Sequence, residues 1–184
     1  MFKKKVKPSQ LSAMFVVDSN NDLNKITDAV DMFCKYDPSY LPHSEVLKDE
    51  LQYFNVVGGL IAVSKVSDDK YAIDALDGYI DCLRKIDDHN KGKTPFKDEY
   101  LLELKDKLLR YLNGYFKFRN WNPEAPGDKR FDMSLGNTSF IVVDICTENG
   151  TTMSYDEIGI LTFTLLKDLT YKYISKFDKL KIVD

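Results

Sequence analysis

"LLELKDKLLRYLNGYFKF", Leu101 to Phe118, decides the fold class. Leu101, Leu104, Leu108, Tyr111, Tyr115 and Phe118 recur at alternating steps of three and four, the period of one α-helix face. Glu103–Lys107 and Asp106–Arg110 are four apart, where opposite charges support an exposed face. The pattern lasts under three heptads, and Leu102, Leu109 and Leu112 widen the apolar face beyond a coiled-coil seam. The segment predicts a core helix of a bundle. Just upstream, Thr94 is placed to cap it, Pro95 suits the first helical position, and Asp98 and Glu99 suit the positive end of its dipole.

The same period extends in both directions. Leu23, Ile26, Val30, Phe33 and Cys34 form a stripe that stops before Pro38. Ser44 is a cap for the next face, Val46, Leu47, Leu51, Phe54, Val57, Leu60 and Ile61. Gly58 and Gly59 fall inside it, and two glycines within a helix cost about 2 kcal/mol relative to alanine. Either the helix breaks there or another backbone packs closely. The apolar pattern continues through "LIAV", which favours close packing. Asp68 or Asp69 starts a helix through Tyr71, Leu76, Leu83 and Ile86, which ends in the polar "DDHNKGK". "SYDE" at Ser154–Glu157 is a capping box that opens a last helix through Ile158, Leu165, Tyr173 and Phe177.

Between these helices, "RNWNPEAPGDKRFDMSLGN" at 119–137 reads as a long loop, with two prolines and two glycines. "TSFIVVDICTENG" is ambiguous. A helix capped by Asn137 or Thr138 and terminated by Gly150 is favoured by its helical neighbours. A short hairpin near 138–153, turning at Asn149-Gly150, is the alternative. The expectation is an all-α, bundle-like single domain of six or seven helices over 8–184. A flexible basic tail at 1–7, carrying Lys3, Lys4, Lys5 and Lys7, precedes it.

Composition narrows the function classes. Of 184 residues, 43% are apolar and 30% charged, an ordinary globular balance. A formal charge of −3 gives no global argument for nucleic acid or an anionic surface. The longest uncharged apolar stretch, "FNVVGGLIAV" at Phe54–Val63, is about half a membrane span, and the apolar run after the lysine head is too short for a secretory signal. Cys34, Cys82 and Cys146 are widely spaced with no CxxC pair, and are read as small buried hydrophobes. With His43 and His89 as the two histidines, a zinc set is not formed. The chain is therefore expected to be soluble and cytoplasmic, without membrane, metal or cofactor.

"VVDSNNDLNKITDAVDMF", Val16 to Phe33, tests the calcium reading. Asp18, Asn20 and Asp22 suit the first three ligand positions of a calcium loop, but Leu23 stands where glycine is needed and Ala29 where an acid must ligate. The stretch is expected to be an Asx-rich turn that starts a helix near Asn21. An echo, "VVD" at 142–144, gives Asp144–Glu157 the same thirteen-residue separation as Asp18–Asp31. Two acid pairs, Asp28-x-x-Asp31 and Asp74-x-x-Asp77, raise a second possibility. Their spacing resembles that of the all-helical nucleotide pyrophosphohydrolases, and the resemblance implies a magnesium-dependent hydrolase. Those enzymes favour glutamate, and aspartate on an exposed helix face is the ordinary reading. No nucleophile elbow and no phosphate-binding glycine loop is present in the sequence, so no catalytic residue is assigned.

The 119–137 segment supplies the candidate binding residues. Arg119, Trp121, Lys129 and Arg130 combine an aromatic surface with positive charge, as interface anchors do. The expected function is non-catalytic: binding another macromolecule, expected to be a protein. The alternative is nucleic-acid binding, using the lysine head with the same loop.

Overall fold

The computed structural model describes residues 3–89, 98–119, 127–148 and 155–184. Among them are seven α-helices, one 3-10 helix and two short strands, so the all-α class holds. In order they are β1 (Lys4–Val6), α1 (Pro8–Tyr36), a 3-10 helix (Pro38–His43), α2 (Ser44–Leu51), α3 (Phe54–Val66), α4 (Asp69–His89), α5 (Asp98–Phe118), α6 (Gly127–Glu148), α7 (Tyr155–Phe177) and β2 (Leu180–Ile182).

α3 is the centre of the molecule. Every residue from Phe54 to Ser64 is buried, which fits a helix that is apolar all round. α7, α4, α1 and α5 pack around it. The close-packing reading of the two glycines holds. A Cβ on Gly58 would lie 3.1 Å from the backbone nitrogen of Thr170 in α7, and one on Gly59 would lie 2.4 Å from the Phe15 ring of α1. The chain bends just before them, at Gln52–Tyr53, and α2 and α3 are separate helices. Buried side chains from all seven helices join one core.

Three expectations need correction. The Val16–Phe33 stretch is not a turn, since α1 is already helical from Pro8 and runs unbroken to Tyr36. Pro8 takes the first helical position, and the Gln10 side chain accepts a 2.9 Å hydrogen bond from the Lys7 backbone N–H. Leu11, Phe15, Asp22, Ile26, Val30 and Cys34 form its buried stripe, so an acid occupies a core-facing position.

The second correction concerns 119–137. α6 begins at Gly127, and the segment from there to Asn137 is helical. The helix reading of 138–148 holds. Its hydroxyl-rich, β-branched sequence is accommodated because buried hydroxyls bond back to carbonyls one turn earlier: Thr138 to Ser134 at 2.7 Å and Ser134 to Arg130 at 2.8 Å.

Third, the basic head is not a frayed tail at Lys4–Val6. This segment pairs in parallel with β2, with Val6 opposite Ile182 and both buried. The Val183 backbone N–H donates to the Val6 carbonyl at 3.0 Å. Burying Val6 takes its backbone out of water, and the strand pairing satisfies it.

Candidate functional site

Among the acids singled out as possible metal ligands, Asp18, Asp22, Asp31 and Asp77 are ion-paired across helices. Asp18 accepts from Lys176 of α7 at 2.7 Å. Asp22, 3% exposed, accepts from Lys172 of α7 and, at 3.0 Å, from the Asn55 side chain of α3. Tyr173 donates to the other end of that amide at 2.6 Å. Burial pushes the Asp22 carboxyl up, but hydrogen bonds from Lys172 and Lys25 outweigh it and hold its pKa below the usual value. Tyr173 is shifted upward by burial, reinforced by Asp18. The spacing that suggested ligands places Asp18 and Asp22 one turn apart, and Lys172 and Lys176 match it on α7.

One acid of each i, i+3 pair is engaged in the same way. Asp31 meets Lys48 at 3.0 Å and Asp77 meets Lys105 at 2.7 Å. Glu157 accepts from the Tyr40 hydroxyl at 2.5 Å, and Asp144 is exposed on α6. Ser154 lies outside the described residues. Among the described residues, no three His, Cys, Asp or Glu side chains converge as a metal site requires.

Of the four expected binding residues, three are described, and the structure brings two of them, Arg119 and Arg130, to one cavity. Arg119, just beyond α5, makes a two-pronged pair with Asp69 at the start of α4, at 2.5 and 2.6 Å. Its guanidinium also lies 5.4 Å from the Phe116 ring centre. This pair lowers the Asp69 pKa against the opposing effect of burial, and raises that of Arg119. Both oxygens of Asp69 are engaged, so Arg119 ties two helix ends together. Trp121 lies outside the described residues. Arg130 is half-buried and, with Arg119 and Lys65, lines a polar cavity of about 280 Å³ between α3, α5 and α6. Lys129 is exposed in the first turn of α6, outside that lining.

Lys129 instead belongs to a different surface. Lys129, Met133, Gly136 and Phe140 follow at steps of four, three and four, one stripe of α6. Met133, Gly136 and Phe140 line an apolar groove of about 520 Å³ against Gly159, Ile160 and Phe163 of α7. Met133 is 43% exposed, Phe140 38% and Ile160 67%. Gly136 and Gly159 keep the groove open: a Cβ at Gly136 would meet nothing nearer than the Phe163 ring at 3.8 Å, and Phe140 lies across Gly159. Beside the groove, Asp132 holds Lys167 at 2.7 Å and accepts from the Tyr171 hydroxyl at 3.1 Å. The stretch 119–137, expected as a loop, carries the first three residues of this stripe. The signal was the helical step from Lys129 to Phe140.

No family model, no curated protein and no solved structure matches this chain. Among the described residues, no helix is long and apolar enough to cross a membrane.

Proposed function

We propose that the chain is a non-catalytic binding protein whose partner is another protein, received in the groove between α6 and α7. The observation that carries this reading is the exposure of Met133, Phe140 and Ile160 around one open apolar groove. Contiguous exposed apolar surface rimmed by polar groups is the usual form of a protein-docking site. The groove is apolar and lined by two helices, which suits a helix with an apolar ridge as its occupant. Lys129 at one end of the stripe adds a contact for an acidic side chain. Arg119 is a structural tie in this reading, and Arg130 lines the separate polar cavity between α3, α5 and α6. Ile160→Asp tests it. The variant should keep its helical circular dichroism and lose at least tenfold in affinity for any protein partner that binds the wild type. Undiminished binding rejects the groove.

A second reading, contact with nucleic-acid phosphates, has one observation in its favour. The β1–β2 register sets Lys5 beside Lys181, so exposed lysines from both strands share one corner. Retention on heparin that falls steeply with salt supports it, and no retention at low salt rejects it.

A further inference from the structure

The occupant of the groove can be named from the charge order along α6, an inference that rests on the protein-binding reading above. The outward stripe runs Lys129, Met133, Gly136, Phe140 and Asp144, with a cation at one end and an acid at the other, both exposed. These ends are fifteen positions apart, about 22 Å along the helix. The midpoint falls between Gly136 and Asn137. An antiparallel copy of the helix, turned about a two-fold axis through that midpoint, sets each residue opposite the one equally far from it. Lys129 then faces Asp144 of the second copy, Met133 faces Phe140, and Gly136 faces Asn137. Every opposition is favourable: charge on opposite charge, thioether on aromatic ring, and the smallest residue where the backbones approach most closely. A parallel copy would set Lys129 on Lys129 and Asp144 on Asp144.

From this we infer that the α6–α7 face binds a second copy of this chain, as a two-fold homodimer with antiparallel α6 helices. A two-fold interface is self-complementary, so each favourable contact occurs twice. Ile160 of α7, exposed beside the stripe, extends the apolar centre on both sides. The polar ends fix direction and register, and the apolar middle supplies the driving force.

The test is sedimentation equilibrium of the full chain at concentrations up to about 100 µM, well above the range of a specific dimer. The wild type should sediment at twice its 21.2 kDa mass. Lys129→Glu and Asp144→Lys each place two like-charge pairs in the interface and should each weaken dimerisation about tenfold. Combined in one chain, they recreate opposite-charge pairs and should restore wild-type affinity. Both positions are exposed, so a folding defect does not explain a loss that the double variant repairs. A wild type that stays monomeric at the highest concentration overturns the inference, as does a double variant no better than the singles. A monomer that still binds a different protein through Ile160 overturns this inference while leaving the binding function in place.

Discussion

Asp22→Ala probes the inter-helix tie that the sequence disguised as a calcium motif. The carboxylate is 3% exposed and accepts hydrogen bonds from Lys172, Asn55 and Lys25. Removing it leaves the Asn55 amide, fully buried, short of an acceptor, which costs about 1–3 kcal/mol. Lys172 is 32% exposed and can turn partly to water, so its loss falls nearer the surface range of about 0.5–1 kcal/mol. Lys25, 74% exposed, adds almost nothing. The sum is about 1.5–4 kcal/mol, a large share of the roughly 5–15 kcal/mol typical of a domain. For a chain this long it lowers Tm by about 3–16 °C. Asp22→Asn keeps the volume and one oxygen for Asn55, and should cost about 1–2 kcal/mol. Urea unfolding followed by circular dichroism, with equal slopes for all three proteins, measures both. A loss below about 0.5 kcal/mol for the alanine variant, or equal losses for the two, refutes the reasoning.

Three further perturbations test other parts of the account. Gly59→Ala puts a methyl 2.4 Å from the fully buried Phe15 ring, so an overpacking cost of about 1–3 kcal/mol should exceed the helix-propensity gain of about 1 kcal/mol. A stabilised variant in chemical denaturation contradicts the packing of α1 on α3. Asp22 and Asp69 both have folded pKa values below the ordinary 3.8, so their stabilisation is complete above that value and is lost as pH falls through the lower folded values. Acid titration of Asp22→Asn and Asp69→Asn should show a flatter limb below pH 4 than the wild type, and identical limbs contradict the pairing. Removing residues 1–6 should speed hydrogen exchange at the Val183 amide at least tenfold, because that N–H donates to the Val6 carbonyl. Unchanged exchange shows that the strand pair is not formed in solution.

The parts of the fold that were legible share one property: their pattern is local and periodic. The leucine and tyrosine spacing of Leu101–Phe118 announces α5, and an apolar run that does not pause announces the close packing at the α3 glycines. The misreadings arose where tertiary partners overrode local preference. Asp18, Asn20 and Asp22 favour turns in isolation. They sit mid-helix here, and Lys172 and Lys176, 150 or more residues away, satisfy the two acids. Gly127 reads as loop because prolines and a tryptophan precede it, yet α6 starts there and buries Phe131 and Leu135. The β1–β2 pair joins the two ends of the described chain, a contact no local pattern can announce. At the candidate site, Arg119 and Arg130 do line one cavity, and Lys129 lies on the α6 stripe four residues before Met133. The groove itself was invisible until α6 was known to begin before Met133, since exposure of an apolar stripe is legible only once the helix carrying it is placed.

Photo-cross-linking with benzoylphenylalanine in living cells tests the central claim most directly. The probe replaces Phe140, at the groove, or Met32, which is 70% exposed on α1 outside that lining. The account predicts a protein adduct at position 140 and none at position 32, with the adduct at 140 lost when Ile160→Asp is added. Equal adducts at both positions, or none at 140, contradict it.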